Sequence, residues 1–192
     1  VQVEVYHKWY SNYPARLWRP YAVLAPNGFD DISNDIPFGL EPLLSEGKGY
    51  SRGFEIFIQK KLSEIPLYGL LSFTLSESNF KSIKGGYRPS TYDSRIIFNL
   101  AAGYRINQEW ELSSKFRIAT GQPTTPFLSN GQRDWENYNL GKRLPTFHAL
   151  DFRADKRWNF TKYTLITYLD IQNIYGRKNV SNMRWNSKEN RI

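Results

Sequence analysis

Period-two alternation of apolar and polar residues recurs along this chain and restricts the fold more than any other feature. It is sharpest over residues 146–175, TFHALDFRADKRWNFTKYTLITYLDIQNIY, where two alternating arms flank a turn of a few residues. In an extended strand successive side chains point to opposite faces. His148, Leu150, Phe152 and Ala154 therefore share one face, and Asp151, Arg153 and Asp155 the other. In the second arm Leu165, Thr167, Leu169 and Ile171 back onto Thr164, Tyr168, Asp170 and Gln172. The stretch reads as a β-hairpin with one apolar and one charged face, a pattern suited to a wall between oil and water.

The same unit recurs upstream. Val1, Val3, Val5 and Trp9 alternate with polar residues, as do Phe54, Ile56 and Ile58, and then Leu67, Leu71, Phe73 and Leu75. Ile96, Phe98, Leu100, Ala102 and Tyr104 form another set, and Trp110, Leu112, Phe116 and Ile118 another. This predicts seven strands, with Phe57, Leu70, Ile97 and Ile166 interrupting the polar side.

With 192 residues, 40% hydrophobic and 23% charged, the chain has the composition of an ordinary globular domain. Its mean hydropathy of -0.59 and lack of any apolar run near ~18 residues exclude a transmembrane helix. Spanning β-strands escape that test, because only every second residue meets lipid. Aromatic residues make up 16% of the chain, and many fall where predicted strands end: Trp9, Tyr10, Tyr68, Tyr104, Trp110, Trp158, Phe160, Tyr163 and Tyr175. Aromatic girdles form where a ring buries its body and wets its polar tip, at a bilayer interface or at a β-sandwich rim.

There are no cysteines, so neither disulfides nor thiolate metal sites are available. The opening VQVEV carries no basic and apolar leader, as expected of a mature or cropped chain; if the protein is exported to an outer membrane, its signal lay upstream. The net charge of +8 is dispersed over strand faces and connections, which argues against a nucleic-acid partner.

Connections alternate between long and short. Long ones are expected near 11–48, 79–93, 121–145 and after 175, and short ones at KLSEIP, INQE and NFTK. All the long connections then fall at one end of the sheet. Transmembrane barrels show this asymmetry, with short periplasmic turns and long extracellular loops. The long segments are rich in Pro, Gly, Asn and Asp, as shaped loops are.

Several phrases together resemble the C-terminal β-barrel region of a TonB-dependent outer-membrane receptor. They are YSRGFEIFIQKKLS, GLLSFTLSES, YRPSTYDSRIIFNLAAGYRI, FRIATGQPTTPF, RLPTFHALDFRADKRWNF and YLDIQNIYGRKNV, in order over about residues 49–180. Residues 1–48 match only in kind. The resemblance implies an all-β fold: an antiparallel, up-and-down transmembrane β-barrel segment, about seven strands of a larger barrel of about 22. Residues 1–192 would be the C-terminal portion of the receptor barrel, without the plug domain and the last strand. It further implies a bacterial outer-membrane protein, not an enzyme, that binds a scarce solute (chelated iron, vitamin, oligosaccharide or peptide) and imports it into the periplasm. Its partners would be outer-membrane lipid, its own plug and remaining strands, TonB through the N-terminal region, and a surface lipoprotein or other subunit. The alternatives are a non-transporting binding module, either an adhesin-like barrel or a soluble carbohydrate-binding β-sandwich, and, third, a phospholipid hydrolase built on His148.

The candidate lumen-facing wall comprises Arg95, Asn99, Lys115, Arg117, Asp151, Arg153, Asp155 and Asp170, among other polar residues such as Glu55, Gln59, Glu111 and Gln172. Counting from the NFTK turn sets Asp151 nearly opposite Asp170, Arg153 diagonal to them, and Lys115 and Arg117 on the preceding strand. A ladder of mixed charge is predicted there. Solute would meet aromatic loop residues that stack and hydrogen-bond: Tyr13, Trp18, Phe29, Tyr92, Phe127, Trp135 and Tyr138. No catalytic set, cofactor or metal is expected. His7 and His148 are too far apart in the pattern to pair, and the serine nearest His148 in sequence, Ser129, lies within a loop. The sequons at Asn159 and Asn179 read as accidental, and Gly85-Gly86 and Gly47-Lys48-Gly49 lack the strand-to-helix setting of a phosphate loop.

Overall fold

The computed structural model describes residues 1–23, 41–187 and 189. One antiparallel sheet makes up nearly all of its regular structure. The strands are β1 (Gln2–Arg16), β2 (Leu43–Lys60), β3 (Leu67–Lys81), β4 (Arg88–Pro89), β5 (Ile96–Arg105), β6 (Trp110–Ala119), β7 (Phe147–Asn159) and β8 (Thr164–Ile171). Apart from β4, which pairs with the end of β3, every strand lies beside its sequence neighbour. The order is up-and-down, and the sheet is not closed on itself. A single short 3-10 turn, Trp135–Asn137, is capped at its N-terminus by the Asp134 side chain.

Register carries each strand's alternation across the whole sheet. Val3, Ile56, Phe73, Phe98, Ile118 and His148 are successive cross-strand partners, so one apolar row crosses six strands. Ile58, Leu71, Leu100, Phe116 and Leu150 form the next row. Between them, on the opposite face, run Gln2, Phe57, Ser72, Asn99, Arg117 and Ala149. A slip of one residue in any pairing would have exchanged the faces. Among the described residues nothing covers the apolar face: Val5 is 77% exposed and Leu169 61%.

Three details differ from the sequence reading. β1 runs on to Arg16 and β2 begins at Leu43, so the first long connection is shorter than expected. A bulge between Tyr10 and Tyr13, with Asn12 at φ 58°, lets β1 turn and continue where the alternation stops. The eighth strand, β4, is two residues long, too short for any periodicity to reveal. The β7–β8 turn lies one residue beyond NFTK, because Asn159 pairs with Thr164 and the Phe160 amide donates to the Tyr163 carbonyl. The pairing therefore shifts by two, and Asp170 faces Arg153 rather than Asp151.

The buried hydrophobic residues lie toward one end. Ala15, Ala22, Val23, Phe80, Tyr138 and Ala149 all sit in or next to the long connections. The short connections, 61–66, 106–109 and 160–163, occupy the opposite end.

Candidate functional site: a charged sheet face beneath a roof of packed loops

The polar face is laid down by pleat and register. Directly opposed Lys115 and Asp151 form an ion pair at 3.2 Å, and Arg117 reaches the same carboxylate at 3.7 Å. Asp151 also accepts from the Asn173 backbone amide at 2.9 Å, which fastens the chain after β8 to the sheet. Arg153 turns along its own strand to Asp155 at 2.7 Å and lays its guanidinium 3.9 Å from the Tyr168 ring centre. Glu111 gathers Tyr68, Arg105 at 3.4 Å and Arg157 at 3.3 Å. Asn99 donates to Ser72 at 3.1 Å.

The mixed-charge ladder is thus present for Lys115, Arg117, Asp151, Arg153 and Asp155. Asp151 and Asp170 both lie on the face opposite Leu150 and Leu169. Asp170 stands across from Arg153, whose carboxylate contact is Asp155 instead. Arg95 does not join the ladder. It precedes β5 and binds Asp93 at 2.8 Å and Glu77 at 3.1 Å, at the loop end of the sheet.

Glycines shape the same face. Tyr68 lies flat over its partner Gly103, where a Cβ would come within 2.3 Å of the ring, and Tyr6 covers Gly53 in the same way. Phe80 occupies the space over Gly49. Cross-strand aromatic–glycine pairs of this kind stiffen a sheet where glycine alone would weaken it.

Above the ladder the long connections pack on one another. Asp93, 3% exposed, accepts from the Ser78 amide at 2.8 Å, from Arg95 and from Arg143, a residue of the β6–β7 connection. Arg143 also donates to the Gly121 carbonyl at 3.0 Å. Arg88 is buried without a carboxylate contact. It donates to the Glu136 carbonyl at 2.7 Å and lies 4.5 Å from the Tyr21 ring centre, and burial pushes its pKa down from the usual arginine value. Asn139, at φ 57°, donates to the Pro89 carbonyl at 3.0 Å and to Thr91 at 3.2 Å.

Beneath this roof the β6–β7 connection and the segment after β8 enclose a cleft of about 680 Å³, within the size range of small-ligand sites. Phe127, Arg133, Trp135, Tyr138, Asn182 and Trp185 help line it. Phe127 lies 5.9 Å from Trp185 with the Arg133 guanidinium 4.5 Å from its ring, and Trp135 stacks on Tyr138 at 5.7 Å.

The structure therefore brings together three of the seven aromatic candidates, Phe127, Trp135 and Tyr138. Tyr13 belongs to β1, where it packs edge-on against Tyr10 and Phe80. Trp18 and Tyr92 stand half-exposed or more, outside the cleft lining. Phe29 lies outside the described residues. Sequence reasoning missed Arg133 and Trp185 in the cleft, and Arg88, Asp93 and Arg143 in its scaffold. Asp93 carried a usable signal, an acid within the Tyr-Asp-Ser-Arg phrase at the entry to a strand.

These side chains can stack, hydrogen-bond and attract charge. His148 Nδ1 lies 2.7 Å from the Tyr175 hydroxyl, with His148 on the apolar face beside Ile118. Among the described residues no three His, Asp or Glu side chains cluster as a metal site would require. No family model matches the sequence, no curated protein matches it, and no solved structure matches it.

Proposed function

We propose that this chain forms part of the barrel of a TonB-dependent receptor in a bacterial outer membrane. Such a receptor binds a scarce solute at its outer mouth and imports it into the periplasm without covalent chemistry. The observation that carries the reading is the pairing of two unlike sheet faces. One is apolar, continuous over seven strands and uncovered among the described residues; the other carries a ladder of opposite charges. A soluble sandwich would bury its apolar face under a second layer, whereas a barrel wall presents that face to hydrocarbon.

Further support comes from the margins of the apolar face. Tyr104, Trp110 and Trp158 border it at the short-turn end, with the Lys156 ammonium 4.9 Å and 5.1 Å from the two indoles. His7, Trp9 and Tyr50 border it at the other end. Strands of about ten residues, the length of β5 and β6, suffice for a tilted crossing. Every long connection lies at one end, where extracellular loops belong, and the aromatic cleft there is the solute site of this reading. The resemblance assigns the plug, TonB and any surface lipoprotein as partners.

Two experiments test this. Fluorescent probes on single cysteines at Leu100, Phe116 and Leu169 should be quenched by brominated lipid chains, while probes at Asn99, Lys115 and Asp170 should be reached only by aqueous quenchers. Quenching of both sets from water alone overturns the membrane reading. Uptake of a panel of ferric chelates, corrinoids, oligosaccharides and peptides should then require both this protein and TonB. Lipid embedding without any TonB-dependent uptake would leave a non-transporting barrel.

A further inference from the structure

Lys48 of β2 and Lys81 of β3 are directly opposed in the sheet. Like charges in that position repel, and among the described residues neither ammonium has an ion pair or hydrogen bond. Both side chains are exposed on the apolar face, at its long-connection end. Reading every second residue along β2 gives Ile58, Ile56, Phe54, Arg52, Tyr50 and Lys48. Along β3 the same face gives Leu71, Phe73, Leu75, Glu77, Asn79 and Lys81. The two strands thus grade together from hydrocarbon through an amphipathic zone to paired cations.

The amphipathic zone is well tied. Arg52 and Glu77 neutralise one another at 2.5 Å. Asn79 donates to the Tyr50 hydroxyl at 3.1 Å, and the Tyr50 ring lies 6.2 Å from Trp9 and 5.4 Å from Tyr87. Charges in this zone are answered within the protein, while those of Lys48 and Lys81 have no partner among the described residues. Glu46 continues the face beyond Lys48 and forms no ion pair with either lysine.

We propose that Lys48 and Lys81 hold the phosphate of a phosphorylated lipid, whose acyl chains lie on Phe54 and Leu75 below and whose glycerol or sugar region rests against Tyr50 and Tyr87. The order along the face selects a lipid over a free anion, since the cations crown an apolar track rather than a pocket. The proposal rests on the reading of this face as membrane-exposed.

The test uses the intact protein, purified in neutral detergent and stripped of lipid, with phosphatidic acid, diacylglycerol and inorganic phosphate as probes followed by native mass spectrometry. Phosphatidic acid should bind, and Lys48→Gln/Lys81→Gln should weaken it roughly 30-fold, at the energy expected for two cations near an anionic headgroup. Lys48→Arg/Lys81→Arg should retain binding, and diacylglycerol and inorganic phosphate should not bind at the same concentrations. Equal affinity in the glutamine variant, or equal binding of diacylglycerol, overturns the site. Comparable binding of inorganic phosphate assigns it to a soluble anion instead. The Leu100 probe separates the failures. Lipid quenching there with unchanged affinity in the glutamine variant defeats only this site, whereas no quenching defeats the membrane reading and the site with it.

Discussion

The sheet and the loop roof are held together by different physics. In the sheet, cohesion comes from backbone ladders and side chains paired across strands, and among the described residues nothing covers the apolar face. In the roof, regular hydrogen bonding gives way to buried polar groups such as Asp93 and Arg88, and the least exposed of the described side chains, Ala15, Ala22 and Val23, lie in it or at the strand end that enters it. The hydrophobic core sits at the loop end of the sheet, where Ala15 of β1 and Phe80 of β3 meet Val23. The contrast teaches that the roof carries its own cover, while the apolar side of the wall has none among the described residues.

The largest effect that would sharpen this contrast is expected in the roof. Asp93→Ala removes the carboxylate that accepts from the Ser78 amide, Arg95 and Arg143, leaving Arg143 only carbonyl acceptors, and should cost about 3 kcal/mol, as breaking a buried ion pair does. Faster hydrogen exchange confined to the loop end, with β5 and β6 unchanged, is the measurement. Uniform loosening of the whole chain would mean that roof and wall are one unit. Next, Leu100→Arg should cost about 2–4 kcal/mol of folding free energy in a bilayer if the residue lies near its midplane, whereas Asn99→Arg should cost under about 1 kcal/mol. Equal costs in folding titrations into vesicles would erase the distinction between the faces.

A smaller change is expected from Tyr68→Phe, which removes a hydroxyl bonded to the Glu111 carboxylate while keeping the ring over Gly103. Hydrogen bonds to a charged group contribute about 1.5–3 kcal/mol, so the melting temperature should fall measurably. The smallest belongs to Lys115→Gln, since its pair with Asp151 is half-exposed and such pairs contribute about 0–1 kcal/mol. Asp151 also keeps its Asn173 amide, so a large loss of stability would show that the ladder is a more tightly coupled network than its geometry suggests.

The wall was legible in the sequence because a period of two survives translation into a pleat. Leu100 and Asn99 could be assigned to opposite faces from their neighbours alone. The pairing of Arg153 with Asp170 was not, because register depends on which residues close the turn, and Asn159 pairs with Thr164 across residues 160–163. The roof was hardly legible at all. Arg88 and Tyr138 are joined across fifty residues by contacts that follow no period, and β4 is too short to alternate. Aromatic composition pointed to Phe127, Trp135 and Tyr138, which the fold brings to one cleft. It misled at Tyr13, whose Pro- and Asn-rich surroundings suggest a loop although the bulge at Asn12 keeps the chain in the strand.

Asp93 stands where three segments meet, for Ser78 brings the end of β3, Arg95 the start of β5, and Arg143 the long excursion before β7. Arg88 ties the same excursion a second time, to the tip beyond β3. Two rivets between neighbouring flaps leave them no independent swing, so whatever lifts one must carry the other with it. The connections at this end of the sheet are therefore coupled, and the carboxylate of Asp93 is the knot that joins them.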